Sequence, residues 1–162
     1  MGSREVKIAG VRRDPDGAWV EQIARNLTDP AEGFLVGKRY LVMDRDPLYT
    51  EKVQAIFRSG GVMSVRIPAR SPNLNAHAER FVRSVREECL NHLIILGERH
   101  PRRTLDDYLA HYNTERPHQG IGNQRVRPPP DTKRAANDEL GRGGLVRRSR
   151  LGGLLNSYTR TA

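Results

Sequence analysis

Cysteine is nearly missing from this chain, and Cys89 stands alone. One thiol cannot close an intramolecular disulfide and is too few for a cysteine-based zinc site. Long hydrophobic runs are missing too. No apolar stretch approaches the roughly 20 residues that span a bilayer, and no signal-peptide core follows Met1. Position 6 is Val6, so Met1-Gly2 does not open a myristoylation signal. No membrane partner is expected, and the cytoplasm is the default location. Lysine is scarce: of 28 basic residues only Lys7, Lys38, Lys52 and Lys133 are lysines. The preference for arginine suits bidentate contact with phosphates, although coding bias produces the same preference.

Acidic residues run short in one region only. Residues 1–115 hold 18 Lys and Arg against 16 Asp and Glu, whereas residues 116–162 hold 10 against 3. That asymmetric basic tail predicts a polyanionic partner, since clustered cations displace the counterions around phosphates. A length of 162 residues accommodates one domain and an appendage. The hydrophobic fraction of 36% is low, which places part of the chain outside a packed core.

Taken in order, residues 5–11 carry a strand pattern that ends at the turn signal Asp14-Pro15-Asp16-Gly17. A helix is expected from about Ala18 to Leu27, with Trp19, Ile23 and Leu27 on one face. The apolar run Tyr40 to Met43 predicts a strand covered on both faces, with Asp44 at its C-terminal end. A helix over about 50–59 and a strand over 62–67 follow, giving a β-α-β-α-β order and a largely parallel sheet. The next helix, from about Asn75, carries Ala78, Phe81, Val82, Val85, Cys89 and Leu93 on one stripe, and Cys89 reads as a small core residue. His100-Pro101 marks a break, and Thr104 a cap for a further helix through about Tyr112. Residues 113–120 read as a turn or extended segment. Arg127-Pro128-Pro129-Pro130 reads as a polyproline linker. Leu145 to Thr161 predicts a hairpin around Gly152-Gly153, marginal by itself, with Tyr158 and several arginines including Arg160.

Two carboxylates carry candidate chemistry: Asp44 at a strand end, and Glu79, 35 positions later, early in a helix. Each has a plain reading and a chemical one. Asp44 either caps the following turn or ligates a metal; Glu79 either pairs with Arg83 or ligates the same metal. Two-metal phosphoryl chemistry needs closely spaced hard oxygen ligands for Mg²⁺ or Mn²⁺. Arg80, Arg83 and Arg86, continuing the Glu79 face, are placed to hold a DNA strand.

Three motifs sharpen this. Met43-Asp44-Arg45-Asp46, the run Ser71-Pro72-Asn73-Leu74-Asn75-Ala76-His77-Ala78-Glu79-Arg80-Phe81, and Tyr112-Asn113-Thr114-Glu115-Arg116-Pro117-His118 resemble the integrase core of bacterial insertion-sequence transposases. The resemblance runs from about Val6 to Asn123. It implies an α/β, ribonuclease H-like fold, a mixed sheet with flanking helices, and metal-dependent DDE strand transfer. In that chemistry three carboxylates hold two Mg²⁺ (or Mn²⁺) ions, and a water or DNA 3′-hydroxyl attacks a phosphodiester. Element ends are thereby cut and joined to target DNA, by a homo-oligomer and with no small-molecule cofactor. Asp44 matches the second carboxylate and Glu79 the third; Asp46 is adjacent but off the motif position. The Tyr112–His118 segment matches a family marker without a catalytic assignment.

The first aspartate has no counterpart. It belongs upstream of the strand that residues 6–11 resemble; no Asp precedes Val6, and Asp14 and Asp16 lie in a turn. The expectation is therefore a partial core, truncated at its amino end, with its first strands missing and a sheet edge left raw. The same expectation leaves no room, before Val6, for the helix-turn-helix region that such proteins usually carry upstream. The expected organisation is a partial catalytic core over 1–123, a Pro/Gly-rich linker over 124–144 and a basic tail over 145–162. A non-enzymatic DNA-binding remnant, acting through the arginine face and tail, is the alternative.

Overall fold

The structure is a computed structural model that describes residues 4–68, 71–97, 99–127 and 144–160. Its chain divides into two compact units, Ala9–Arg83 and a second made of Met1–Ile8 with Ser84–Ala162. Helices flank small two-stranded sheets, so the content is mixed α/β.

The first unit is a β-α-β arrangement with a helix in front: α1 (Gly17–Leu27), β1 (Tyr40–Met43), α2 (Glu51–Ser59) and β2 (Met63–Arg66). Asp16 starts α1 by accepting the Trp19 N–H at 2.8 Å, and Thr50 caps α2 through the Val53 N–H. The face of α1 that is buried deepest is Val20 and Ala24, one position round from the predicted stripe. They join Leu35, Met43, Val53, Phe57 and Val62 in one core, with Trp19, Leu27 and Leu41 packed against it. Gly33 is required where the chain doubles back after α1, because a Cβ there would lie 2.5–2.7 Å from backbone atoms of Asp29 and Leu27. A 3₁₀ turn over Pro72–Asn75 then leads into α3 (Ala76–Glu88).

β1 and β2 pair in parallel, Tyr40 opposite Met63 and Val42 opposite Val65. The expectation of a strand covered on both faces is wrong here. Leu41 and Met43 face the helical core, but Tyr40, Val42, Met63 and Val65 are 54%, 51%, 57% and 45% exposed. Four apolar residues in a row are compatible with two-sided burial only when a second layer exists, and the helices of this unit cover one side. The sheet is also narrower than expected. Residues 5–11 form no strand, and among the described residues β1 and β2 pair only with each other.

The second unit is built on α4 (Arg99–Thr114). The predicted break at His100-Pro101 does not occur, because Pro101 lies in the first turn. Its missing N–H is there one of the donors that a helix leaves unpaired anyway. Thr104 is consequently not a cap but an interior residue, 1% exposed, whose Oγ1 finds no partner among the described residues. A buried hydroxyl without a partner is costly. Thr104→Val is therefore expected to stabilise the protein by about 1 kcal/mol, read as a higher denaturant midpoint with an unchanged slope. α4 runs on through Thr114, beyond the predicted end, and the buried Tyr108, Tyr112 and Asn113 explain why.

Asn113 also accounts for the missing strand at residues 5–11. Its Oδ1 accepts the Val6 N–H at 3.1 Å and its Nδ2 donates to the Val6 carbonyl at 2.9 Å. A single side-chain amide thus takes both backbone groups of Val6, as a strand partner would. Cys89 is fully buried, and burial raises its thiol pKa, consistent with a packing role. Further along the chain, β3 (Leu145–Arg150) and β4 (Leu155–Arg160) form an antiparallel hairpin, turning through Gly152 at φ +67°. Most of the expected linker, residues 128–143, lies outside the described residues.

Candidate active site

Asp44 follows β1 directly and is exposed. Its Oδ1 accepts the Asp46 N–H at 3.1 Å, and Asp46 in turn accepts the Leu48 N–H at 2.8 Å. Two successive Asx turns thus shape the loop at the C-terminal end of the parallel pair. Arg45 secures it across the sheet, donating from Nε to the Ile67 carbonyl at 3.0 Å. The pKa of nearby Tyr49 is raised, first by burial and then by the negative charges of Asp44 and Asp46. The plain reading of Asp44 as a turn former is therefore realised, and the same hydrogen bond orients its carboxylate.

Glu79 lies in the first turn of α3, exposed. The plain alternative for it, an ion pair with Arg83, is not formed. Arg80, Arg83 and Arg86 are exposed as well, and none has a carboxylate partner among the described residues. At 100° per residue they span about a third of the helix circumference, and Glu79 falls within that band. Among the described residues, Asp44 and Glu79 belong to no group of three or more His, Cys, Asp or Glu that could hold a metal.

The Tyr112–His118 segment is packed rather than open. The Tyr108 hydroxyl donates to Glu88 at 2.9 Å, and Arg116 bonds the same carboxylate at 2.7 Å. The Arg116 guanidinium lies 5.5 Å from the Tyr112 ring centroid, and the His118 ring meets Tyr112 edge-on at 4.6 Å. Glu115 is the residue that sequence reasoning passed over. Its side chain is 8% exposed, yet it binds Arg150 at 2.8 Å, His111 at 3.1 Å, Ser157 at 3.2 Å and Arg148 at 3.4 Å. Burial opposes its ionisation, but the hydrogen bonds from Arg150 and His111 outweigh it and hold the carboxyl at about 2. The available signal was an acidic residue in a marker segment facing an arginine-rich tail; the separation of 35 residues from Arg150 hid the pairing.

That pairing changes the meaning of the basic tail. Arg116, Arg127, Arg148 and Arg150 are tied to Glu88, Glu5, Glu115 and, for Arg150, also Asp107. Part of the positive excess is therefore neutralised inside its own unit.

Residues 61–125 match the integrase core domain. The match covers less than half of the chain. It includes Glu79, the three α3 arginines and the Tyr112–His118 segment, and it leaves Asp44 outside. No curated protein and no solved structure matches the chain. Integrase core domains act on DNA and usually use divalent metals. Among the described residues no group of three or more His, Cys, Asp or Glu is gathered to hold a metal. Asp44 and Glu79 nonetheless have the right donor chemistry. An ion such as Mg²⁺ is commonly held by one or two carboxylates, with waters and substrate phosphates completing its shell. Among the described residues no helix is long and apolar enough to cross a membrane.

Proposed function

We propose that this chain supplies the C-terminal part of a transposase or integrase catalytic core that acts on DNA by metal-dependent strand transfer. The observation that carries the proposal is the integrase core match over residues 61–125, with Glu79 exposed in the first turn of α3 and flanked by exposed arginines that have no carboxylate partner among the described residues. Asp44 and Glu79 are the carboxylates assigned to Mg²⁺ or Mn²⁺, two ions in the complete site. When bound, such ions activate the attacking water or 3′-hydroxyl and stabilise the leaving oxygen. Arg80, Arg83 and Arg86 hold phosphates of the strand that is attacked. The working form is a homo-oligomer on paired DNA ends.

With two carboxylates, the isolated chain holds its metal weakly and is expected to show little strand transfer or nicking in Mn²⁺. Robust turnover by the chain alone, abolished by Asp44→Ala, would overturn the expectation of weak activity. The arginine face has its own test. Replacing Arg80, Arg83 and Arg86 together by alanine is expected to flatten the salt dependence of duplex binding, with the log–log slope falling by about 3. An unchanged slope would remove these residues from the interface.

A second reading rests on the absence of a three-carboxylate group among the described residues. In it the chain binds DNA through arginines and requires no metal. Binding that weakens steeply with salt, and calorimetry without heat on adding Mg²⁺ or Mn²⁺, would favour it.

A further inference from the structure

The C-terminal hairpin has two faces of different character. In its register Arg148 stands opposite Ser157 and Arg150 opposite Leu155, while Arg147 stands opposite Tyr158 and Leu145 opposite Arg160. Directly paired residues share a face, and alternate residues change face. One face therefore carries Arg148, Arg150, Leu155 and Ser157. It is the attached face: Leu155 is buried, and Arg148, Arg150 and Ser157 bind Glu115. The other face carries Leu145, Arg147, Ser149, Asn156, Tyr158 and Arg160. There Arg147, Tyr158 and Arg160 are exposed, Tyr158 at 56% and Leu145 at 66%.

Charge is sorted between the faces. The attached arginines are neutralised by Glu115 and Asp107. The outward ones meet no carboxylate among the described residues, and residues 144–160 contain no Asp or Glu. Arg147 donates from Nε to Asn156 Oδ1 at 2.9 Å, which holds its guanidinium along the face beside Tyr158. An exposed aromatic ring on the same face as two arginines is the chemistry that receives a nucleotide: phosphates on the cations, a base on the ring. A paired duplex buries its base faces, so only an unpaired strand can use the ring.

We propose that the outward face of the hairpin, built from Arg147, Tyr158 and Arg160, docks an unpaired DNA strand. The proposal rests on the reading of DNA as the substrate and adds a second contact surface, remote in sequence from Asp44 and Glu79.

The test uses the full chain, a fluorescent oligothymidylate about 20 nucleotides long, and a chelator to remove divalent ions. Tyr158→Ala is expected to weaken oligothymidylate binding about tenfold or more, whereas Tyr158→Phe, which keeps the ring, binds as the parent. Arg147→Ala with Arg160→Ala is expected to lower the single-strand salt slope by about 1.4. Duplex of the same length should be insensitive to Tyr158→Ala. Unchanged oligothymidylate binding by Tyr158→Ala, or equal loss on duplex, would overturn the proposal. Equal displacement of the oligonucleotide by polyglutamate would also overturn it and reassign the face to acidic peptides. The core reading fails separately. If Glu79→Gln leaves divalent-ion binding untouched while the Tyr158 effect persists, the carboxylate assignment falls and the hairpin assignment stands.

Discussion

Glu115→Ala is expected to release the C-terminal hairpin from α4 and to destabilise its unit by on the order of 3 kcal/mol. The carboxylate is 8% exposed and receives Arg150, Arg148, His111 and Ser157 together. Removing it strips the partners from Arg150, itself only 22% exposed, and leaves Asp107 at 3.7 Å as its remaining carboxylate. The cost comes chiefly from stranding a half-buried guanidinium, not from losing an attractive pair. Hydrogen exchange should show the amides of β3 and β4 losing protection before those of α4. A Glu115→Ala protein whose hairpin amides stay protected would mean that Leu155 and the backbone hold the hairpin unaided.

Acid should reproduce the same release without mutation. The Glu115 carboxyl titrates at about 2 in the folded chain, below its ordinary 4.5, so its stabilisation is fully present above pH 4.5. It is lost as pH falls toward 2, and the interval corresponds to about 3 kcal/mol. The groups facing Glu115 are Arg148, Arg150, His111 and Ser157, with Asp107 beside Arg150. Glu115→Gln removes the titrating group, so its hairpin protection should change less than the parent's between about pH 5 and about pH 2.

Tyr108→Ala is expected to cost about 4 kcal/mol, the larger of the two effects. Tyr108 is fully buried, packs 6.1 Å from the Tyr112 ring centroid and donates its hydroxyl to Glu88. Its replacement opens an aromatic-sized hole beneath the Tyr112–His118 segment and deprives Glu88 of a donor. Tyr108→Phe separates the two contributions. It keeps the ring and loses only the hydrogen bond, and is expected to cost about 1 kcal/mol. Burial, and secondly the bond to Glu88, keep the phenol protonated far above its usual range. An alkaline titration of tyrosine absorbance should therefore leave Tyr108 un-ionised until the unit unfolds. A Tyr108→Ala protein as stable as the parent would show that the Glu88, Arg116 and Tyr112 cluster closes over the gap.

Local features were legible in the sequence. The turn signal Asp14-Pro15-Asp16-Gly17 does end just as α1 begins, and α1, β1, α2 and β2 lie close to where the pattern places them. What failed depended on burial and on partners that the local pattern does not show. Within residues 5–11, the Val6 N–H and carbonyl bond to the Asn113 side chain, more than a hundred positions away, rather than to a strand. Pro101 looked like a stop, but a proline is harmless in a first turn, and the position of that turn was set by the burial of Thr104 and Tyr108. The same holds for the candidate site. Asp44 and Glu79 were visible as residues of the right type, while the commitment of Asp44 to an Asx turn and the freedom of Glu79 from Arg83 required coordinates. The signal that Glu115 did carry, an acidic residue in a marker segment, did not name its partner, which lies in a hairpin some 30–40 residues downstream.

Calorimetric titration of Mn²⁺ into the full chain, repeated with Asp44→Asn and Glu79→Gln, tests the proposed function most directly. Both carboxylates are exposed, so these near-isosteric changes are expected to leave the fold intact. The parent should bind Mn²⁺ weakly, and each substitution should abolish the same binding event. Binding that survives both substitutions unchanged, or no Mn²⁺ binding by the parent with DNA present, would contradict the assignment of Asp44 and Glu79 as the metal ligands of an integrase core.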